Sequence, residues 1–328
     1  MEIKIHKDTT IYILCPPKYA TGGTELLHQL SDALLKNDVD ARLFYWPKAK
    51  NPTSPEFVKY QINIATDIQD VKENVFIAPE IDNFKIFEYE NIQKAIWWLS
   101  VDNYFKNVSI RKNTLKLRLA DTFFRRKLFN FQDSRFDSVK HFAQSYYAKK
   151  FLESKGIQDV KMLTDYINDR FFSTSFEISN KEDIVLYNPK KGIEFTQKLI
   201  KMSGDAIRWI PIQNLSREGV VDLLKKAKVY IDFGNHPGKD RFPREAAVLG
   251  CCIITNKEGS AGNNKDLPIP ERYKFEADAN NLNSIVDRIT ECLTEYENVH
   301  LDFESYRAQI SEEKNVFFKE VNSLFVNQ

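Results

Sequence analysis

Two short segments of this chain gather cations and a carboxylate in a way that suits a diphosphate joined to a sugar ring. One is Asn188-Pro189-Lys190-Lys191-Gly192, and the other runs from Asn235 to Glu245, NHPGKDRFPRE. Lysine delivers a compact positive charge, so Lys190 and Lys191 in a strand-to-helix loop read either as a diphosphate clamp or as a solvated pair. Lys239 and Arg241 add cations beside a second helix start, with Pro243 in the first turn and Gly250 where the helix ends. Unpaired N–H groups at such a start carry partial positive charge and favour an anion. Glu245, one turn further in, is placed to accept hydrogen bonds from a ribose diol.

Strands must hold these loops. Val229–Phe233 and Cys251–Thr255 are apolar runs of the kind that parallel sheets bury on both faces, so residues 230–255 read as strand, loop, helix, strand. The lysine loop lies between a strand over Asp183–Tyr187 and a helix over Ile193–Met202; a strand over Ile207–Ile212 and a helix from Ser216 to Ala227 follow. In the amino-terminal half, Thr10–Cys15, a helix from about Glu25 to Lys36, and Arg42–Trp46 make a further strand-helix-strand unit. Its Gly22-Gly23 turn either lets backbone approach a ligand or serves packing alone. Strands over Val75–Ala78 and Lys94–Leu99 end near Glu80 and Asp102. Ligands gather at the carboxyl ends of such strands, so Asp102 either binds hydroxyls there or caps a helix. Alternation of this kind specifies an α/β protein.

The segment FPREAAVLGCCIIT, Phe242 to Thr255, resembles the donor site of retaining glycosyltransferases of the GT-B fold, above all glycosyltransferase family 4. Lys191-Gly192 and the Gly22 to Glu25 run, GGTE, are similar to two more of that family's motifs. The resemblance implies two Rossmann-like domains facing a cleft, with a carboxyl-terminal helix crossing back to the first. Domain limits are then 1–165 for the acceptor, 166–310 for the nucleotide sugar, and 311–328 for the returning helix. It implies that Glu245 holds the ribose and that Gly22, Gly23, Lys190, Lys191, Lys239, Arg241, Phe242 and Ser260 surround the donor. Asp102, His236 and Lys191 become the candidate catalytic residues.

The implied reaction moves a sugar from a nucleoside diphosphate, UDP favoured, to a glycan or lipid-linked glycan in cell-surface polysaccharide assembly, with retention. No cofactor beyond the donor substrate and no metal are implied. Two departures stand out: Pro237 replaces the family's sugar-contacting glutamate, which leaves His236 or loop backbone to read the sugar, and Val101 replaces a histidine. They keep open a catalytically inactive relative that binds nucleotide sugars or scaffolds a partner. A nucleotide-sugar epimerase using Glu80 and Asp102 also stays open.

Composition bounds these readings. The 328 residues suffice for two domains, and 42% hydrophobic with 28% charged residues describes a globular chain. A formal net charge of +1 gives no general attraction to nucleic acid, and none is expected as a partner. Four cysteines without metal spacing read as reduced core residues, and no apolar run is long enough to span a bilayer. The amino terminus lacks a signal-peptide core, so a cytoplasmic location is expected, compatible with a peripheral position at the inner membrane face. Residues 106–140 carry ten Lys or Arg against three Asp, interleaved with Phe123, Phe124, Phe129, Phe131 and Phe136. That stretch suits either an anionic membrane face or a helix whose phenylalanines are core. Asp38-Val39-Asp40 matches a metal motif in letters, but its place between helix end and strand start makes it a solvated turn.

Overall fold

The computed structural model describes residues 3–123, 126 and 128–326. The chain divides into two compact units, one from the start to Asp165 joined by the part from Asn315 onward, the other Tyr166–Lys314. In the first unit the elements are β1 (Thr10–Cys15), α1 (Gly22–Leu35), β2 (Asp40–Tyr45), β3 (Val75–Pro79) and β4 (Gln93–Trp98). They continue with α2 (Val101–Asn113), α3 (Leu115–Phe123), β5 (Lys140–Ala143), α4 (Tyr146–Ser154) and β6 (Val160–Met162). All six strands are parallel, in the order β2-β1-β3-β4-β5-β6. Every residue of β1 and β3 is buried, the continuous apolar pattern that a two-sided parallel sheet requires.

The second unit contains β7 (Glu182–Tyr187), α5 (Ile193–Ser203), β8 (Arg208–Pro211), α6 (Arg217–Lys226), β9 (Ala227–Asp232), α7 (Arg241–Val248) and β10 (Cys252–Asn256). Then come β11 (Lys274–Phe275), α8 (Leu282–Thr294), α9 (Tyr296–Val299) and the long α10 (Glu304–Phe325), whose residues from Asn315 group with the first unit. Five parallel strands run in the order β11-β10-β9-β7-β8. Strand order therefore reverses once in each sheet, between β1 and β3 and between β7 and β9. At such reversals the flanking loops diverge and leave a crevice at the carboxyl ends of the strands.

Local chemistry moves several elements away from the sequence reading. Helix α1 starts at Gly22, not near Glu25, because Thr21 and Thr24 cap each other's backbone N–H groups; neither Gly22 nor Gly23 has a positive φ. The segment that opens the second unit is packed into it, since Ile167 and Phe171 are buried in that unit's core. Strand β11 is too short to leave a pattern in the sequence. All four cysteines are buried and free of disulfides. Asp38 sits in the turn before β2, and Asp40 bonds Thr10 (2.8 Å) and Arg42 (2.8 Å).

Of the phenylalanines in 106–140, Phe129 and Phe136 are core and Phe131 stacks on Trp98 at 5.5 Å, whereas Phe123 is exposed. Phe124, Arg125 and Lys127 lie outside the described residues.

Glu80 ties the ends of β3 and β4 together, its Oε2 accepting from the Leu99 backbone N–H at 2.9 Å. Burial pushes its carboxyl up to about 7, against the opposing pull of backbone hydrogen bonds from Leu99 and Ser100. A carboxyl raised in the folded state costs nothing well below the unfolded pKa near 4.5; its penalty grows from there to the folded pKa and is constant above it. The Glu80→Gln variant should therefore match wild type in urea unfolding well below about pH 4.5 and exceed it by roughly 3 kcal/mol above pH 7. A stability difference that does not change with pH would show that Glu80 carries no raised pKa.

Candidate functional site

The reversal between β7 and β9 brings together the two loops singled out for diphosphate chemistry. Gly192, at φ +58°, is where β7 hands over to α5, and a Cβ there would come within 2.2 Å of the Phe233 carbonyl oxygen. Only glycine fits, so the two strand exits meet backbone to backbone. A third exit joins them. Gly259, after β10, has φ +55°, and a Cβ on it would reach within 2.0 Å of the His236 carbonyl oxygen. The Ser260 N–H donates to His236 O (2.9 Å), and the Asn256 side-chain amide donates to Gly234 O (2.8 Å).

Lys191 lies at the centre of this junction. Its Nζ is 2.6 Å from Asp240 Oδ2 and 3.6 Å from Asp232 Oδ2, and His236 Nδ1 meets the same Asp240 oxygen at 2.7 Å. Burial disfavours the Lys191 ammonium, but Asp232 and Asp240 outweigh it and hold its pKa above the usual lysine value. Burial likewise raises Asp240, and the hydrogen bond from His236 with the charge of Lys191 reverses this, so that its pKa falls below the ordinary carboxylate range. Asp232, His236 and Asp240 present ligand atoms within 4.8 Å of one another, a spacing that could hold a metal ion. The ammonium of Lys191 lies against the same group.

A second ionic cluster fastens the other side of the loop. Glu313, on α10, takes Lys239 at 2.6 Å and the fully buried Arg244 at 2.8 Å. The Arg244 guanidinium also donates to the backbone carbonyls of Lys239 (2.9 Å) and Asp240 (3.0 Å). One buried guanidinium thus ties together loop backbone, helix α7 and helix α10. Asp240 occupies the N-cap position of α7 yet makes no side-chain cap, because its carboxylate is turned to His236 and Lys191. Gly192, at the N-cap of α5, has no side chain to offer. Neither helix that follows the reversal is capped by the side chain of its own N-cap residue, and a helix start of that kind suits an anion.

The sequence candidates fall into distinct places. Lys191, Lys239, Arg241, Phe242, Glu245, His236 and Ser260 all belong to these three exits, and Lys190 is exposed on the first of them. Glu245 is buried on α7, and Phe242 stacks on Tyr230 at 6.0 Å. His236 is 1% exposed with both ring nitrogens engaged, Nδ1 to Asp240 and Nε2 to the Asp232 carbonyl (3.3 Å). Ser260 is buried and donates its hydroxyl to Gly238 O at 2.5 Å, which fastens the turn over 258–263. A cavity of about 510 Å³ opens at the exit of β8, lined in part by Ile210, Gln213, Asn214, Leu215 and Leu223.

In the first unit Gly22 and Gly23 open α1 after β1, at that sheet's own reversal. Asp102 lies half-buried in the first turn of α2, whose cap is Ser100, accepting from Asn103 N–H at 3.2 Å. Sequence reasoning missed Asp232, Asp240, Arg244 and Glu313. The first two share an i, i+4 spacing with His236 that could have been noticed; Glu313 lies 69 residues from Arg244 and left no local sign.

No protein-family model matches the chain, and neither does any curated protein sequence. Solved structures do. Sucrose-phosphate synthase of Thermosynechococcus elongatus superposes with a TM-score of 0.63 at 12% identity, covering 96% of this chain and 98% of that one. A glycosyltransferase of Rickettsia africae gives 0.60 at 11% identity over 98% and 100%. Anabaena HepE, solved in complex with UDP, gives 0.57 at 11% identity over 96% and 98%. At such identities the likeness is one of architecture. The chain has the GT-B arrangement of two parallel-sheet α/β domains.

Proposed function

We propose that this protein is a glycosyltransferase that takes its sugar from a nucleoside diphosphate, UDP favoured, and passes it to a glycan or lipid-linked glycan in cell-surface polysaccharide assembly. One observation carries the reading: two uncapped helix starts and the cations Lys190, Lys191, Lys239 and Arg241 meet at the strand-order reversal of the second sheet. Solved neighbours of the same architecture support it, since HepE was crystallised with UDP and with UDP-glucose. In this reading the helix N–H groups and lysines stabilise charge as the diphosphate departs, an electrostatic role that needs no metal. Glu245 holds the ribose. His236 acts through Asp240 as a positioning residue, and Asp102 serves the acceptor hydroxyl. The sugar keeps its anomeric configuration.

Lys191 would have to exchange a carboxylate for a phosphate. That makes Asp240 a competitor of the donor and sets the affinity of the empty site. A second reading, a relative that binds nucleotide sugars without transfer, draws on the same fact: Lys191 and Lys239 already have carboxylate partners, and Pro237 stands where the family has a glutamate. Transfer to an acceptor in a radiolabelled-donor assay separates the two.

A thermal-shift panel of nucleotides tests the binding half. A ligand at a hundred times its Kd stabilises the native state by about 2.7 kcal/mol, a shift of several degrees. UDP or UDP-sugars should give it, and a flat response to every nucleoside diphosphate would overturn the proposal. Glu245→Ala should weaken UDP binding between roughly tenfold and a hundredfold, the loss expected for hydrogen bonds to a carboxylate, at little change in helix content. Asp240→Asn should act in the opposite direction, tightening UDP by about fivefold in calorimetry while lowering the melting temperature, and Lys191→Ala should abolish that gain. An Asp240→Asn variant that binds UDP more weakly than wild type would remove Lys191 from the phosphate site.

A further inference from the structure

Helix α3 is difficult to account for by the fold alone. It has nine residues, none of them buried, and isolated helices this short are marginal in water. Among the described residues five large apolar side chains are at least 60% exposed, and Leu115, Leu119 and Phe123 are three of the five. These three follow one another at single-turn spacing and make one stripe. Lys116 and Arg118 flank the stripe on either side, and Leu117, Ala120 and Asp121 occupy the opposite, half-buried face. Helix α2 extends the surface with Phe105 and Ile110, each nearly half exposed, and with exposed Lys106 and Lys112.

Charge on this surface has one sign. No Asp or Glu occurs between Asp102 and Asp121, and Asp121 is taken by Arg111 at 2.8 Å and Arg126 at 3.4 Å. A short amphipathic helix with a cation on each side of its apolar stripe has the build of an interfacial helix, which lies in the headgroup layer and inserts its apolar edge. No helix among the described residues is long and apolar enough to cross a bilayer, so the contact would be peripheral.

We propose that α3, assisted by the exposed face of α2, docks this protein on membranes rich in anionic phospholipid. Leu115, Leu119 and Phe123 enter the acyl boundary, and Lys106, Lys112, Lys116 and Arg118 contact the headgroups. The docking surface narrows the stretch suggested by composition to its first part and adds Leu115 and Leu119, because Phe129 and Phe136 are core residues. It goes beyond the nucleotide-sugar reading and does not depend on it, since the test below uses no nucleotide.

The full chain is sedimented with vesicles of phosphatidylglycerol and phosphatidylcholine mixed, and of phosphatidylcholine alone, at low and at high salt. Wild type should follow the anionic vesicles at low salt and stay in solution with the neutral ones. Lys112→Gln/Lys116→Gln/Arg118→Gln should cut partitioning roughly a hundredfold, about fivefold for each cation removed. Leu115→Ser/Leu119→Ser/Phe123→Ser should cut it at least tenfold. Because the charge variant leaves the apolar stripe intact, it keeps the test decisive if the serine variant fails to fold, as judged by melting temperature. Wild type that ignores anionic vesicles, or a folded variant that binds as wild type does, would overturn the proposal. So would a wild-type dimer that the serine variant dissolves in size-exclusion chromatography, which would assign the stripe to a second copy. Binding to duplex nucleic acid without vesicle binding would also sink it.

Discussion

The ammonium of Lys191, held between Asp232 and Asp240, is the interaction on which the second unit's strand exits depend. Two carboxylates in one poorly solvated junction repel each other and lose hydration, and a cation within hydrogen-bond reach of one and near the other offsets both costs. The backbone makes this possible. Because Gly192 and Gly234 let the exits of β7 and β9 approach to contact, the Lys191 side chain begins where the Asp240 loop ends. A larger residue at either glycine would separate the lysine from its partners before any ligand arrived.

The arrangement also decides how much positive charge the loops offer. Counting the lysine, arginine and carboxylate charges alone, Lys191 against Asp232 and Asp240 leaves the first cluster one unit negative, whereas Lys239 and Arg244 against Glu313 leave the second one unit positive. Taken together the clusters are neutral. In the proposed reading an entering diphosphate draws less on them than the sequence suggests, and more on Lys190, Arg241 and the two helix starts. Buried ion pairs of this kind hold geometry more than they add stability. Here they fix a loop of Gly and Pro that has few other means of keeping its shape.

Much of this was legible in the sequence because it is written in short-range patterns. Apolar runs such as TIYILC and CCIIT gave the strands, Gly192 and Gly250 marked chain reversals, and Lys191, Glu245 and Phe242 fell in the loops and helix that meet. What stayed hidden depends on partners far away in the chain. Asp240 looked like one more polar loop residue until its neighbours across the junction were known, and Glu313 lies on a helix that begins sixty residues after α7 begins. The cations were counted correctly, but their neutralisation could not be, since a lysine beside a buried carboxylate and a solvated lysine are the same letter. The aromatic stretch stayed undecided for a related reason: Phe129 and Phe136 are drawn into the core by contacts with Trp98, His141 and Phe87 that no local period announces.

The two sheets share a plan and differ in how their helices begin. In the first unit α1, α2 and α4 follow β1, β4 and β5, and each is capped by its own side chain, Thr21, Ser100 and Ser145. In the second, Ser216 caps α6 in the same way, but α5 and α7, which flank the reversal, have no side-chain cap. A cap is the usual means of satisfying N–H groups that have no partner within the helix, and leaving it out costs about 1 kcal/mol per helix. Asp240 even sits at the right position and is diverted to Lys191 and His236. Side-chain capping is absent at the two starts that flank the reversal, as it is at α8 and α9 further along the second unit. In the proposed reading a phosphate completes the α5 and α7 starts, with Lys191 holding its loop closed and Asp240 competing with the donor for the lysine's charge.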